Sequence, residues 1–448
     1  MTISRDFIKG TLVLALLTVF LPSGAQHRWT LEECISYAKE NNITLQQQRL
    51  QLQSATEDVR AQRGAMLPTL SASTNHSVGY RPWQDNGVAT VTNGQVNSKV
   101  DKTYYNGSYG VNAQWTVWNG GRNRNNVRLS QLAAQQAEMS VEQQANSIEE
   151  RICQLYVQCL YLREAIGVSQ ESLSTSRKNE ERGTEMVQVG LLSRADLAQL
   201  TAQRATDEYN VVEAQGQLAT YMLQLRQLLE LTADADFDIA DAPASIDDPA
   251  QMEVPSLNAV YEHALQNRPE MRNARMGIES ADISLRIARA GWLPTLGLTG
   301  GLSTSTNSLT DNGWGTQMKT NFNMTGGLQL SIPIFDGWQT RTNVSRARIQ
   351  QQQAALELAD QQKQLYQTIE GYWQDATTNR QKYIAACATA QSAAQNYELL
   401  EEQFNLGLKN IVELMTGKDN MMQAKQNQLQ SKYLALLNIE MLRFYARD

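Results

Sequence analysis

The sequence has few of the residues on which enzyme active sites depend. Its 448 residues include three histidines and four cysteines. His27, His76 and His263 are scattered and lack the spacing of metal ligands. No phosphate-binding glycine loop, no G-x-S-x-G motif and no H-E-x-x-H motif occurs. We therefore expect no catalytic site, no metal site and no cofactor.

Long apolar runs are missing as well. Beyond residue 25, no run approaches the roughly 18 apolar residues of a membrane helix, so a membrane-crossing part would have to consist of strands. The cysteines form no obvious pairs. Cys153 and Cys159 stand on different sides of one predicted helix, which disfavours a disulfide between them. We expect Cys34, Cys153, Cys159 and Cys387 to be buried, unpaired thiols.

Positive charge is outnumbered by negative charge. Lys and Arg number 39 and Asp and Glu number 46, for a net charge of −7, which makes nucleic acid a poor candidate partner. Residues 1–25 combine two basic residues near the start, an apolar run at 11–21 and small residues before Gln26. This pattern predicts a secretory signal peptide. No cysteine lies near the cleavage point, so a lipid anchor is not expected.

The chain repeats one plan. Leu-Pro-Thr-Leu occurs at 67–70 and again at 293–296. VGLLSRADL at 189–197 resembles LGLKNIVEL at 406–414, and 406 − 189 is 217. Self-similarity over half of a chain indicates a duplicated unit.

The duplication divides the chain into four parts. After the signal peptide at 1–25, a first repeat covers 26–232 and a second covers 257–448. The connector at 233–256 contains seven acidic residues, three prolines and no Lys or Arg. This composition favours a solvated connector over a packed element.

Both repeats show the same order of patterns. Each begins with a helical pattern, followed by two alternating segments, a very long helical pattern and a last helix. In the long pattern at about 120–186, apolar residues recur every three or four positions, which indicates coiled-coil packing. The seam comprises Val141, Ala145, Ile148, Ile152, Leu155, Cys159, Leu162 and Ile166. A helix of that length measures ~100 Å, so we expect an elongated structure.

The alternating segments have the period of β-strands. Residues 105–117 and 322–334 each place apolar and aromatic residues on one side and polar residues on the other. The segments after Pro68 and Pro294 show a weaker form of this pattern. The segments are long enough for a tilted bilayer strand of ~9–11 residues, and Trp, Tyr and Phe cluster at both ends, as in the girdles of membrane barrels. We therefore predict four membrane strands.

Four strands cannot form a barrel alone, because single-chain barrels begin at ~8 strands and open edges are not tolerated in lipid. Copies of the chain must then pool their strands. Roughly 8, 12 or 16 strands result from two, three or four copies, and periodicity does not choose among them. Pro68 and Pro294 are expected where a helix stops and a membrane strand starts, since proline ends a helical hydrogen-bond ladder.

These features together resemble the TolC-type outer membrane efflux protein family. The likeness rests on the two LPTL junctions, SIPIFDG before a long helix, NRPEM at 267–271 and the VGL and LGL turns. It implies an α+β membrane protein in which three chains form a 12-stranded β-barrel, continued by a long α-helical coiled-coil tunnel. The protein would lie in the outer membrane of a Gram-negative bacterium, with a large periplasmic part.

The resemblance also implies a function and partners. The protein would be the exit duct of a tripartite efflux or type I secretion system and would hydrolyse nothing. Its partners would be two further copies of itself, outer membrane lipid, a periplasmic adaptor and an inner-membrane pump of the RND, ABC or MFS class. The transported substrate is not readable from the sequence.

The resemblance places a gate near the second turn. Glu413 falls where the family has a constricting acid, and Thr416 falls where a second acid is often found. Lys409 matches a basic position that can pair with an acid of the neighbouring helix pair, and Asp196 matches that acid. Phe404 stands where a tyrosine is common, so a hydroxyl hydrogen bond is lost.

The acids at the turns have an alternative role as helix caps. Ser193 precedes Asp196 by three residues, and Asn410 precedes Glu413 by three, which is the spacing of N-terminal capping boxes. Capping and gating are compatible, and both stay open.

Two other protein classes compete with a channel. A periplasmic adaptor or coiled-coil spacer would have β-domains flanking one helix hairpin, whereas this sequence predicts two long hairpins with amphipathic strands. A surface adhesin would need a passenger region, and the loops at 82–103 and 307–321 are too short for one.

Overall fold

The computed structural model describes residues 28–83, 88–92, 95–99, 102–232, 237–241 and 248–447. The predicted signal peptide lies outside these residues. The helices are α1 (Leu31–Asn41), α2 (Ile43–Gly64), α3 (Arg122–Gln188), α4 (Arg194–Leu228), α5 (Leu257–Asn267), α6 (Pro269–Arg289), α7 (Trp314–Thr320), α8 (Gln339–Asn405) and α9 (Ile411–Tyr445). The strands are β1 (Arg28–Trp29), β2 (Thr69–Tyr80), β3 (Val88–Thr92), β4 (Gln95–Lys99), β5 (Thr103–Trp118), β6 (Asp238–Ile239), β7 (Thr295–Asn307) and β8 (Asn323–Ser331).

Two helix hairpins dominate the fold. The first is α3 with α4 and the second is α8 with α9. Helices α3 and α8 have 67 residues each, a length of ~100 Å. The second hairpin follows the first at a constant offset in the sequence. Helices α3 and α8 begin at 122 and 339, and α4 and α9 end at 228 and 445, so both offsets are 217. The predicted seam of α3 is confirmed at its centre, where five of its members are buried: Ile148, Ile152, Leu155, Cys159 and Leu162.

The main hydrophobic core lies midway along these helices. There α1 and α5 pack against the long helices and close both hairpins into one body. Residues without exposed surface include Cys34, Ile152, Leu225, Ile239, Met271, Ile369, Ile439 and Leu442. Within the described ranges, no helix combines the length and apolar character needed to cross a membrane.

The four predicted strands form one antiparallel sheet in the order β2-β5-β7-β8. Its register places the apolar side chains of all four strands on the same face of the sheet. Val111, for example, lies opposite Leu302, which lies opposite Met324. The other face carries Ser, Thr, Asn, Gln, Gly and one Tyr, and these four strands contain no Asp, Glu, Lys or Arg. Within the described chain, the outer edges of β2 and β8 have no strand partner.

The strands begin where the prolines predict. Helix α2 ends at Gly64 and β2 begins at Thr69, so Pro68 lies in the connection between them. Pro294 lies between the short 3₁₀ turn Ala290–Trp292 and β7. Strand β8 ends before the predicted limit of 334, because Pro333 has no N–H to donate to the ladder.

The first helical pattern of each repeat is two helices instead of one. In the first repeat, the break falls at Asn42, whose side-chain oxygen accepts from the backbone N–H of Thr44 (3.0 Å) and of Leu45 (3.2 Å). This cap starts α2 in a new direction. In the second repeat, the break falls at Arg268, because Pro269 occupies the first position of α6 and favours an extended residue before it.

The connector is packed in places where its composition predicts solvation, both at residues 237–241 and at Met252, which is buried in the main core. Strand β6 pairs in parallel with β1, and Ile239 is fully buried. Arg163 of α3 donates to the carbonyl of Ile239 and to the carboxylate of Asp241, each at 2.9 Å. Apolar burial and these bonds to arginine hold residues 237–241 against the first hairpin.

The two long loops contain elements that periodicity does not predict. Strands β3 and β4 form a hairpin within 82–103. Helix α7 lies within 307–321 and is held by the buried amide of Gln317, which donates to the carbonyls of Asn307 (2.9 Å) and Asn312 (2.6 Å). Both elements are short, which leaves little periodic pattern for the sequence to show.

Candidate functional site at the helix tips

Each hairpin ends in a turn of the same construction. Gly190 and Gly407 have φ values of 76° and 72°, the left-handed region that favours glycine. In the first turn, Leu191 N–H donates to the Met186 carbonyl, and in the second, Leu408 N–H donates to that of Gln403, each at 2.9 Å. These bonds satisfy the last carbonyls of α3 and α8. The tip is defined here as the turns at 189–193 and 406–410 with the adjoining helix ends.

The predicted caps are present at the start of α4 and α9. Ser193 Oγ accepts from the Asp196 backbone N–H (3.1 Å), and the Asp196 carboxylate accepts from the Ser193 backbone N–H (3.3 Å). Asn410 Oδ1 accepts from the Glu413 backbone N–H at 2.9 Å. Ser193 and Asp196 therefore form a complete capping box, whereas α9 is capped through the Asn410 side chain without the reciprocal bond from Glu413.

The structure places the predicted gate residues on the surface of the tip. Lys409 forms an ion pair with Glu413, and about 40% of each side chain is exposed. Asp196 is half-buried in its cap, and Thr416 is exposed. Lys409 and Asp196 are not brought together as an ion pair within the described part of the single chain. Phe404 is buried in the tip.

The surface of the tip is unusually apolar. Five aliphatic side chains around the two turns are between 58% and 74% exposed, and equivalent positions of both turns contribute: Val189, Leu191, Leu406, Leu408 and Val412. Such a cluster on an exposed end is typical of a protein contact.

Beneath this surface, both hairpins share a small apolar core. It joins Leu200 of α4 to α8 and α9, and Met186 and Leu192 pack against it. Its buried members are Leu200, Tyr397, Phe404, Ile411, Leu414, Met421 and Met422. The turns, which are 217 residues apart, therefore lie at the same end of the molecule.

A buried polar cluster adjoins this core, and the sequence analysis misses it. Lys418, Asp207 and Ser176 are each at most 5% exposed and bond to one another. A signal for it exists, because Lys418, Lys425 and Lys432 recur every seven residues on one side of α9. Their partners on α3 and α4 are distant in the sequence and have no local pattern.

Aromatic residues mark both ends of the apolar sheet face. Trp115, Trp118, Trp292 and Trp338 are 38–60% exposed at the helical end. Exposed aromatic residues at the far end are Tyr80, Trp83, Trp314 and Phe322. An apolar face bounded by two aromatic bands has the form of a lipid-facing barrel wall.

Comparison with known protein families shows to which family the chain belongs. The model of the family described as "Outer membrane efflux protein" matches residues 34–230 and again residues 260–446. The chain belongs to the outer membrane efflux protein family. This membership confirms the TolC-type resemblance, the outer membrane location in a Gram-negative bacterium and the prediction that the chain is not an enzyme. No group of three or more potential metal ligands occurs among the described residues.

Individual relatives of this outer membrane efflux protein support the family assignment. Outer membrane protein TolC of Escherichia coli is 22% identical over 419 residues, which cover 91% of this chain and 80% of TolC. Alkaline protease secretion protein AprF of Pseudomonas aeruginosa is 22% identical over 390 residues, which cover 86% of this chain and 77% of AprF. The chain therefore falls among efflux and secretion proteins of the outer membrane.

A solved structure shows the same fold. The outer membrane channel CmeC of Campylobacter jejuni superposes with a TM-score of 0.76 at 18% identity, over 93% of this chain and 85% of CmeC. Because identity is low, this likeness concerns the fold alone. The long hairpins and the four-stranded sheet are thus the common architecture.

Proposed function

We propose that three copies of this chain form a 12-stranded barrel in the outer membrane, continued by a helical tunnel in the periplasm. The duct conducts small molecules or proteins passively from a periplasmic pump assembly to the exterior. Energy for transport would come from the partner pump, since proteins of this family are channels and not enzymes.

The observation that carries this proposal is the four-stranded sheet. One face exposes Leu70, Met324 and Leu328 at 68–75%, while the other face is polar and uncharged. Backbone groups at the edges of β2 and β8 need partners in lipid. A ring of copies in which β2 of one chain pairs with β8 of the next supplies these partners and encloses the polar face as a lumen. The TolC-type family favours three copies.

We also propose that the chain arose by duplication of one unit. The equal spacing of the hairpins and the two separate matches of the family model support it. The first unit is 26–232 and the second is 257–448. The connector at 233–256 joins them, and its residues 237–241 and Met252 are packed against the helices.

The tip is the proposed contact with a periplasmic adaptor. The exposed aliphatic cluster of the two turns offers an apolar surface that three chains would repeat around one ring. The adaptor in turn would join the duct to an inner-membrane pump of the RND, ABC or MFS class. The names of the relatives, which include efflux and secretion proteins, support such an assembly.

The tip is also the proposed gate. Three chains would place Glu413 and Asp196 near one constriction, with Lys409 beside them and Thr416 in place of a second acid. An exposed ion pair such as Lys409–Glu413 contributes only ~0–1 kcal/mol. Closure would therefore rest on many weak contacts repeated by the three chains.

The periplasmic spacer remains the alternative, and no observation favours it. A spacer in water would bury its apolar sheet face against its own chain, but this face is exposed from Leu70 to Leu328.

The proposal is tested by extracting the mature protein from outer membranes with detergent and measuring its mass. A trimer whose gel migration changes on heating is expected. A stable monomer embedded in lipid, or recovery of the protein in the soluble periplasmic fraction, would contradict the barrel.

A further inference from the structure

A lysine is buried between the two helix hairpins, close to the tip. Lys418 lies ~10 Å from the start of α9 and is 2% exposed, and Asp207 is 5% exposed. The Lys418 ammonium donates to the Asp207 carboxylate and to Ser176 Oγ, and the Ser176 hydroxyl donates to the same carboxylate oxygen. Lys418 belongs to the second hairpin, whereas Asp207 and Ser176 belong to the two helices of the first.

Three further polar contacts extend this cluster to all four helices. Asn179 of α3 donates to the hydroxyl of Tyr397 on α8 at 3.3 Å. Gln203 of α4 donates to Asp207 and to Asp419 of α9, each at 3.4 Å. The polar contacts at this level therefore join one hairpin to the other.

Close apolar packing also holds the two helices of each hairpin together. Gly183 of α3 lies so close to Leu200 of α4 that an added Cβ would overlap the leucine side chain. Gly417 of α9 lies equally close to Leu400 of α8. A movement that separates the hairpins as units therefore breaks the bonds of Lys418 to Asp207 and Ser176, which cross between the hairpins.

Two other lysines of α9 bond to the first hairpin, but on the surface. Lys425 pairs with Glu171 at 2.9 Å and Lys432 pairs with Glu164 at 3.3 Å, and the glutamates are 59% and 40% exposed. Exposed pairs are weak because water screens them. Of these three lysines, Lys418 alone is bonded where water is excluded.

We propose that Lys418, Asp207 and Ser176 form a clamp that holds the two hairpins of a chain together and sets the resting conductance of the duct. The conductance part rests on the proposed channel function. Removing one partner leaves the other charge buried and unpaired, which destabilises the closed arrangement strongly. Replacing both charges by apolar side chains removes that penalty. The three residues act through the position of the helices and do not touch the cargo.

The test uses the full-length mature protein with four variants. Lys418→Met and Asp207→Leu each break the buried pair, and the double variant replaces the whole pair by apolar side chains. Lys425→Met is the matched control, because it removes a lysine of the same helix from an exposed pair. Resting single-channel conductance and amide hydrogen exchange at residues 411–422 are measured for each.

Each single variant is expected to raise the resting conductance. It should also speed hydrogen exchange at 411–422 by at least about 100-fold, equivalent to about 2.8 kcal/mol at 1.4 kcal/mol per tenfold. The double variant returns both quantities toward wild type, and Lys425→Met changes exchange by less than about fivefold. The return in the double variant separates a clamp from a general loss of folding.

The clamp is contradicted if the single variants exchange like wild type, if the control matches Lys418→Met, or if the double variant is no closer to wild type than the singles. Failure of the proposed function is distinguishable. A wild-type protein that forms no pores refutes the channel, while hydrogen exchange still tests the clamp.

Discussion

Leu328 of β8 lies directly opposite Leu298 of β7, on the apolar face of the sheet. Its sequence neighbour Gln329 lies opposite Gly297 on the polar face. The two positions differ only in the face to which they point. They therefore form a matched pair for testing which face meets lipid.

The first prediction uses this pair. Leu328→Arg places a charge toward lipid, at a cost of ~2–4 kcal/mol near the bilayer midplane, and should reduce the amount of trimer in the outer membrane. Gln329→Arg places the same charge in the lumen and should assemble normally. The measurement is the heat-modifiable trimer in membrane fractions. Normal assembly of Leu328→Arg together with failure of Gln329→Arg would mean that the faces are inverted.

The second prediction concerns charge selectivity. The strands β2, β5, β7 and β8 carry no Asp, Glu, Lys or Arg, so these strands would supply no such charge to the lumen of the proposed barrel. We therefore expect the helical part, where about 40% of the Glu413 side chain is exposed, to contribute to charge selectivity. Glu413→Ala should reduce cation selectivity and block by multivalent cations, as measured from reversal potentials.

The double variant Lys409→Ala with Asp196→Ala should raise resting conductance at normal trimer levels.

The caps provide the control for this experiment. Ser193→Ala and Asn410→Ala remove the cap side chains and leave both acids in place, at a cost of about 1 kcal/mol each. They should lower the melting temperature with little change in conductance. If the acid variants behave in the same way, Asp196 and Glu413 are caps only and the gate lies elsewhere.

The sequence predicts well the elements that depend on long periodic patterns. The alternation in β5 and β8 places Val111 and Met324 on the correct face, and the heptads of α3 place Ile152 and Leu155 in the core. Such patterns extend over many residues, so one irregular position does not obscure them. The two prolines are equally informative because their effect on the backbone is local.

Elements that depend on distant partners are not predictable in this way. Strand β6 is two residues long and pairs with β1 about 200 residues earlier in the chain. The seven-residue spacing of Lys418, Lys425 and Lys432 marks one side of α9, but it does not show that Lys418 is buried, because its partner Asp207 is on another hairpin. The break at Asn42 is a different case. Asn42 is a recognisable helix cap, but the continuous helical pattern on both sides of it predicts one long helix.

The third prediction concerns the thiols. Cys34, Cys153 and Cys159 are unpaired and buried, and burial raises the pKa of each thiol to about 12. At pH 8, only about one thiol in 10,000 is then a reactive thiolate. A maleimide should label the native protein only at the half-buried Cys387, and Cys387→Ser should abolish this labelling. Rapid native labelling of Cys159 would contradict the core packing.

The fourth prediction concerns acid stability. The hydrogen bond from Arg163 holds the pKa of the Asp241 carboxyl below its usual value. A lowered pKa stabilises the fold at pH values above the usual pKa of Asp, ~4, and this stabilisation is lost as the pH falls through the lowered value. Arg163→Met should therefore lower the melting temperature at pH 7, and the difference from wild type should shrink below about pH 4. A difference in melting temperature that grows on acidification would contradict the lowered pKa of Asp241.

The central claim is that copies of this chain enclose a continuous water-filled duct through the outer membrane. Single-channel recording of the purified trimer in planar bilayers tests it most directly. We predict uniform conductance steps whose size rises in the Lys418→Met variant. A folded, heat-modifiable trimer that inserts into bilayers and yields no conductance steps, in wild type or in that variant, would contradict the claim.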